Sequence, residues 1–179
     1  MIRFWAGDTA DFLAEGWEVA ARGLMQRAFD GDFSDDDWEH GLGGRHFLVL
    51  DDQLLVAHAS VVERPFGVAG RGTVRTGYLE AVATEPARQG EGHGSMVVRA
   101  ATGHVREGYE LGALSTGEPG FYERLGWQRW RGKTFVDAAE GRLRTAEEDD
   151  GVLVLLTDRT EDLDLSGDLV CDWRSGDVW

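Results

Sequence analysis

Residues Gly77 to Gly94 read GYLEAVATEPARQGEGHG, and this stretch decides the fold. The run TVRTGYLEAVAT at 73–84 is apolar and β-rich, a strand with one carboxylate, Glu80, near its middle. Strand alternation puts Tyr78, Glu80 and Val82 on one face and Leu79, Ala81 and Ala83 on the other. The glycines of ARQGEGHG then open a helix from about Ser95 to Glu107, with Val97, Val98, Ala101 and Val105 as its apolar face. Gln89-x-x-Gly92-x-Gly94 leaves backbone N–H groups unhindered at a helix N-terminus, where a pyrophosphate can sit. Arg88 adds a positive charge beside it. The spacing is not the Gly-x-Gly-x-x-Gly of a dinucleotide-binding βαβ unit, and no Gly-Lys-Ser/Thr follows as in a P-loop. Taken alone, such a stretch also suits a simple turn.

Upstream, Ile2–Trp5 reads as a short strand and residues 17–29 as a helix, with Ala20, Leu24 and Ala28 on one face and Gly31 after its end. Ser34 is an N-cap, and Asp35, Asp36 and Asp37 sit in the first turn of a second, short helix, where the dipole favours negative charge. Gly41, Gly43 and Gly44 close it. RHFLVL (45–50) and LLVAHASVV (54–62) form a hairpin around Asp51, Asp52 and Gln53. Downstream come a strand at 111–115, a short helix at 119–125 with Gly126 behind it, strands at 127–130 and 133–138, and a buried strand at 151–157. Phe121 and Leu125 supply the buried stripe of the short helix, which leaves Tyr122 offset from it. No linker, repeat or low-complexity tract interrupts the order, so 1–179 reads as one domain. The class is α/β or α+β with a sheet of mixed direction.

The chain has 179 residues, 18 lysines and arginines, 33 aspartates and glutamates, and a formal charge of −15. That balance predicts no nucleic-acid partner and no anionic-membrane partner, and attraction for polycations. With 42% apolar residues the chain is not fully disordered. No apolar run matches a membrane span, and the N-terminus lacks a basic head followed by an apolar stretch, which predicts a cytoplasmic protein. One cysteine, Cys171, excludes an internal disulfide framework and a cysteine-based zinc site. His40, His46, His93 and His104 lack metal-ligand spacing, so no metal is expected. His58, within an apolar strand, reads as a satisfied core histidine. Acidic residues cluster at 30–39, at 147–150 and in the tail from Asp158 to Asp177, as a solvated surface or as the lining of a cleft for a cationic ligand.

Strand, Gln/Arg-x-x-Gly-x-Gly, helix, strand, then Gly120-Phe121-Tyr122-Glu123-Arg124-Leu125-Gly126-Trp127: this order resembles the GCN5-related N-acetyltransferase (GNAT) superfamily over about residues 45–130. Within it, Gly31-Asp32-Phe33 through Asp37-Trp38-Glu39-His40, Arg75-Thr76-Gly77-Tyr78, Leu111–Ser115 and the tail CDWRSGDVW (171–179) resemble aminoglycoside 2′-N-acetyltransferases. The resemblance implies a mixed, mainly antiparallel sheet flanked by helices, with splayed strands holding acyl-CoA. It also implies acetyl transfer from acetyl-CoA to an aminoglycoside 2′-amine in a ternary complex, and a homodimer.

Carried over residue by residue, the resemblance places a pyrophosphate against Arg88, Gln89, Gly90, Gly92, His93, Gly94 and Ser95, and a pantetheine arm along Ala81, Val82 and Ala83. The Val82 N–H would polarise the thioester carbonyl. Tyr122 would be the general acid, with a packed aromatic as the plainer alternative. Glu80 would be the base through water, with an edge-strand salt bridge as its alternative. Asp32, Asp37, Ser115, one of Asp149 and Asp150, Asp177 and the Trp179 α-carboxylate would grip the drug. Asp35, Asp36, Glu147 and Glu148 are read as surface or helix-terminus charge. Another cationic amine, such as a polyamine or a cell-wall amino sugar, would suit the acidity equally, and a non-catalytic acyl-CoA or drug-binding module is a third reading.

Overall fold

The computed structural model describes residues 1–179. The chain divides into two compact units, Met1–Val62 with Leu79–Gly103, and Glu63–Tyr78 with His104–Trp179.

The first unit opens with β1 (Ile2–Asp8), α1 (Thr9–Ala14), α2 (Glu18–Ala28) and α3 (Asp35–Gly41). Next come β2 (Arg45–Asp51) and the first part of β3 (Leu54–Val68). β2 pairs antiparallel with β1 and with β3, and places Leu48 opposite His58. The end of β4 (Gly72–Thr84), a 3-10 turn at Pro86–Arg88 and most of α4 (His93–Gly108) complete the unit. Asp8 caps α1 by accepting from the Asp11 N–H. Ser34 and Asp37 cap α3 reciprocally, a capping box that contributes about 1 kcal/mol to so short a helix. Phe12, Leu24, Met25, Trp38, Leu48, Leu50 and Leu55 form one apolar core.

The second unit holds β5 (Leu111–Ser115), α5 (Pro119–Glu123), β6 (Gln128–Arg129), β7 (Thr134–Ala138), β8 (Gly141–Arg144), β9 (Val152–Leu156) and β10 (Leu169–Asp172). With the remaining parts of β3 and β4 the strand order is β6-β9-β5-β4-β3-β10-β7-β8. Two pairings are parallel, β4–β5 and β7–β10; the β4–β5 ladder stops at Tyr78 opposite Ala113. A Cβ on Gly112 would lie within 3.1 Å of Leu155, Val105 and Trp127, so glycine lets α4 and β9 close on β5. The sheet is mixed and mainly antiparallel and the class is α+β, as the sequence predicts.

The hairpin strand expected over 54–62 runs on to Val68, and the helix expected from Ser95 begins at His93. α1, β8 and β10 were not expected. Each has six residues or fewer, too few for a hydrophobic period to register.

Candidate active site

In the first unit, Glu80 through Ala83 stand at the end of β4. Strict alternation fails here: Ala81 has φ +49°, the left-handed region that a side chain rarely enters. The two faces drawn from the sequence therefore do not extend past Glu80; Leu79 and Ala83 are buried while Glu80, Ala81 and Val82 are all half-buried. The carbonyls on either side of this break are held. Ser60 Oγ donates to the Glu80 O at 3.4 Å, and the His58 ring nitrogen Nδ1 lies 2.8 Å from the Ala81 O.

Beyond Thr84 the chain passes the 3-10 turn and reaches Gln89, Gly90, Glu91 and Gly92, all exposed. Gly90 and Gly92 have φ of +82° and +89°, and nothing lies within 4 Å of a Cβ built on either. Glycine is required by the conformation, and the space before the helix is open. The Met96 N–H bonds to the Gly92 O, so the amides of His93, Gly94 and Ser95 are first-turn donors that an α-helix leaves without an internal acceptor. Open peptide donors at the start of a long helix suit a diphosphate.

Arg88 stands differently from its expected role. Its guanidinium already bonds Asp51 at 2.9 Å and Glu91 at 2.8 Å, and lies 3.3 Å from His93 Nε2. These partners brace the loop and absorb the charge that a free arginine would have offered to phosphate. Asp32 is exposed behind α2. Asp37 accepts from the Ser34 N–H and Oγ at 2.8 Å each through one oxygen, so its carboxylate is partly spent on the cap.

In the second unit, Tyr122 lies on α5 and is 8% exposed, with Phe121 and Trp127 edge-on to its ring. Burial falls on Tyr122 and not on Phe121 and Leu125, which are half-buried, so the expected stripe is corrected. The five-residue helix is too short for an i, i+4 stripe to set its inward face. Burial pushes the phenol up to about 12, and a hydrogen bond with Thr116 opposes that rise. Tyr122 Oη therefore holds its proton at every physiological pH, as a proton donor must.

Ser115, at the end of β5, donates its hydroxyl to Glu148 at 2.7 Å. Burial raises the Glu148 carboxyl, and the negative charges of Asp177 and Glu147 raise it further. The sequence reads Glu148 as surface charge; the structure instead seats it, half-buried, against the Ser115 hydroxyl and within electrostatic reach of Asp177. Nothing in a run of four carboxylates distinguishes the inward one. Asp149 faces elsewhere. It bonds Arg144 through both oxygens and accepts from the Thr134 N–H and hydroxyl, which hold its carboxyl down at about 2. Asp150 is exposed.

The tail is docked. Trp179 is 4% exposed, its indole N–H donates to Thr145 Oγ at 2.9 Å, and its ring meets Phe66 edge-on. Arg64, 4% exposed, donates to the Asp172 carboxylate, the Asp172 O and the Val178 O at 2.8–2.9 Å. Its guanidinium also lies over the Tyr78 and Phe66 rings. Asp177 remains exposed, with one oxygen accepting from the Trp179 N–H.

The model of the Acetyltransferase (GNAT) domain matches residues 13–130, and the chain belongs to that family. It is an acetyltransferase whose acetyl donor is acetyl-CoA. Over 176 residues it is 43% identical to an aminoglycoside 2′-N-acetyltransferase of Mycolicibacterium fortuitum, a match covering 96% of this chain and 89% of that one. The fold is shared with Escherichia coli YhbS solved with CoA (TM-score 0.61, 16% identity, 96% of this chain and 88% of that one). It is also shared with the E. coli ribosomal-protein-S18-alanine N-acetyltransferase (TM-score 0.60, 19% identity, 92% and 99%).

Proposed function

We propose that this chain transfers acetyl from acetyl-CoA to the 2′-amino group of aminoglycosides, with residues 1–179 serving as one acetyltransferase domain. The observation that carries the proposal is the 43% identity, spanning nearly the whole of both chains, to a relative bearing that activity in its name. Supporting it are the −15 charge and a docked tail whose Asp177 acts electrostatically on Glu148, the carboxylate that Ser115 holds.

The open amides of Gly92, His93, Gly94 and Ser95, with Gln89 and Gly90 before them, bind the diphosphate, while the Ala81–Ala83 backbone aligns the arm. Acetyl-CoA supplies an acyl group activated as a thioester. The Val82 N–H is the donor that favours charge on an acyl oxygen. Glu80 accepts the ammonium proton through water, since an amine attacks only once neutral, and Tyr122 Oη gives its proton toward the departing sulfur. Asp32 and Asp37 of the first unit, and Glu148, Asp177 and the Trp179 α-carboxylate of the second, hold ammonium groups of the drug, and Ser115 orients Glu148. Asp149, committed to Arg144 and Thr134, ties its loop to β7 and β8, and Asp150 adds to the anionic field. The protein works in the cytoplasm, as a homodimer.

Kanamycin B carries a 2′-amine where kanamycin A carries a 2′-hydroxyl. Release of CoA thiol is expected to be fast with the first and at background with the second. Equal rates on both rule out the 2′ position, and faster turnover of a polyamine than of either drug moves the substrate class.

A further inference from the structure

Two buried histidines of the first unit take no part in the chemistry assigned above, yet they end on its backbone. His46 on β2 and His58 on β3 are each 1% exposed. Phe12 stacks flat on His46 with ring centroids 4.1 Å apart and meets His58 edge-on. His46 Nδ1 lies 3.0 Å from His58 Nε2, and His46 Nε2 lies 2.9 Å from Thr9 Oγ. At the far end His58 Nδ1 lies 2.8 Å from the Ala81 O.

The direction of every bond follows from one acceptor. A carbonyl oxygen cannot donate, so His58 Nδ1 carries hydrogen. Burial holds both rings neutral by depressing His58 to about 4 and His46 to about 3, with only Asp8 pulling His46 the other way. A neutral ring with hydrogen on Nδ1 has a bare Nε2. The His58 Nε2 thus accepts from His46 Nδ1–H, and the bare His46 Nε2 accepts from the Thr9 hydroxyl at 2.9 Å, in preference to the Gly44 O that the same hydroxyl faces at 3.2 Å; Thr9 Oγ itself accepts from the Gly43 N–H at 2.9 Å. The chain runs one way, from Gly43 through Thr9, His46 and His58 to Ala81.

We infer that His46 and His58 are positioning residues for acetyl transfer: as consecutive links of this one-way chain they hold the Ala81 carbonyl, and so keep the break in β4 that presents Glu80 and Val82. Left-handed backbone at alanine costs about 1–2 kcal/mol, so it persists only where neighbours impose it. A donor fixed between two buried strands imposes it here. The inference rests on the roles proposed above for Glu80 and Val82; the chain itself does not.

Its most direct test needs no substrate. In the ligand-free protein with 15N-labelled histidine, long-range 1H–15N correlation at pH 7 is expected to show both rings neutral with hydrogen on Nδ1. A hydrogen on Nε2 of either ring, or a cationic ring, overturns the inference. His58→Leu is expected to lower kcat about 100-fold, the scale of an ångström-sized misplacement, with KM for acetyl-CoA and for kanamycin B within about threefold. His58→Asn keeps a donor at the Nδ1 position and is expected to recover most of that kcat. A folded His58→Leu protein with wild-type kcat, or an Asn variant no better than Leu, contradicts a positioning role. Should the unaltered protein fail to acetylate kanamycin B, the substrate assignment falls, while the tautomers still decide the hydrogen-bond chain.

Discussion

Tyr122 carries the sharpest residue-scale expectation. Its phenol is buried and raised to about 12, so it is a full-time donor with no titration of its own near neutrality. Tyr122→Phe keeps the ring and removes only the Oη proton. Single-turnover kinetics are expected to show kcat down by about 100-fold or more, with drug affinity nearly unchanged; an unaltered kcat removes Tyr122 from the chemistry. The histidine pair makes a second expectation. Both rings titrate below the ordinary 6.5, so the unfolded chain binds protons that the native chain refuses. The stability they lend is complete above pH 6.5 and is lost as pH falls toward 4 and then 3. Between pH 6.5 and 5, where most carboxylates stay ionised, urea unfolding is expected to weaken with a slope approaching about 1.4 kcal/mol per pH unit for each histidine. A flat profile over that window means the rings are not buried as drawn. Part of this scale was legible in advance: the glycines before α4, the N-cap Ser34 and the satisfied His58 follow from residue type and spacing. The left-handed Ala81 was not, because alanine is a poor signal for it and a side chain on a neighbouring strand enforces it. Glu148 was hidden for another reason, since four adjacent carboxylates look alike until the Ser115 hydroxyl, 33 residues away, bonds one of them.

At the scale of elements, the loop before α4 and the tail after β10 make separable predictions. Gly92→Ala puts a Cβ on left-handed backbone and pushes the turn away from the conformation that presents the open amides, so acetyl-CoA affinity measured by calorimetry is expected to fall about tenfold, from a strain of about 1–2 kcal/mol. Unchanged affinity would show that this turn does not meet the diphosphate. Removing Asp177–Trp179 takes away a carboxylate and the indole held by Thr145, while Arg64 keeps its bonds to Asp172. Drug binding is expected to weaken about tenfold or more with acetyl-CoA affinity kept, and equal drug affinity would make the tail a packing element only. The long elements were readable because their apolar positions repeat over several turns or pleats, as in α2, α4, β3 and β4. Short ones were not: α1 rests on the Asp8 cap, and β10 exists because β3 and β7 flank it, a non-local fact.

For the molecule as a whole, charge is the property that acts at a distance. A net −15 draws a polycation inward and loses reach as salt rises. KM for kanamycin B is expected to rise about tenfold between low ionic strength and 0.5 M salt, with KM for acetyl-CoA moving little or downward. Salt independence of the drug's KM would confine the carboxylates to solubility. Composition revealed this field but not its shape, since Arg88 is cancelled by Asp51, 37 residues away, and Asp149 by Arg144, five residues before it. The most direct measurement is product identity. With 13C-acetyl-CoA and kanamycin B, heteronuclear NMR of the purified product is predicted to place a single labelled acetyl on the 2′ nitrogen; an acetyl on any other amine, or none transferred, contradicts the account.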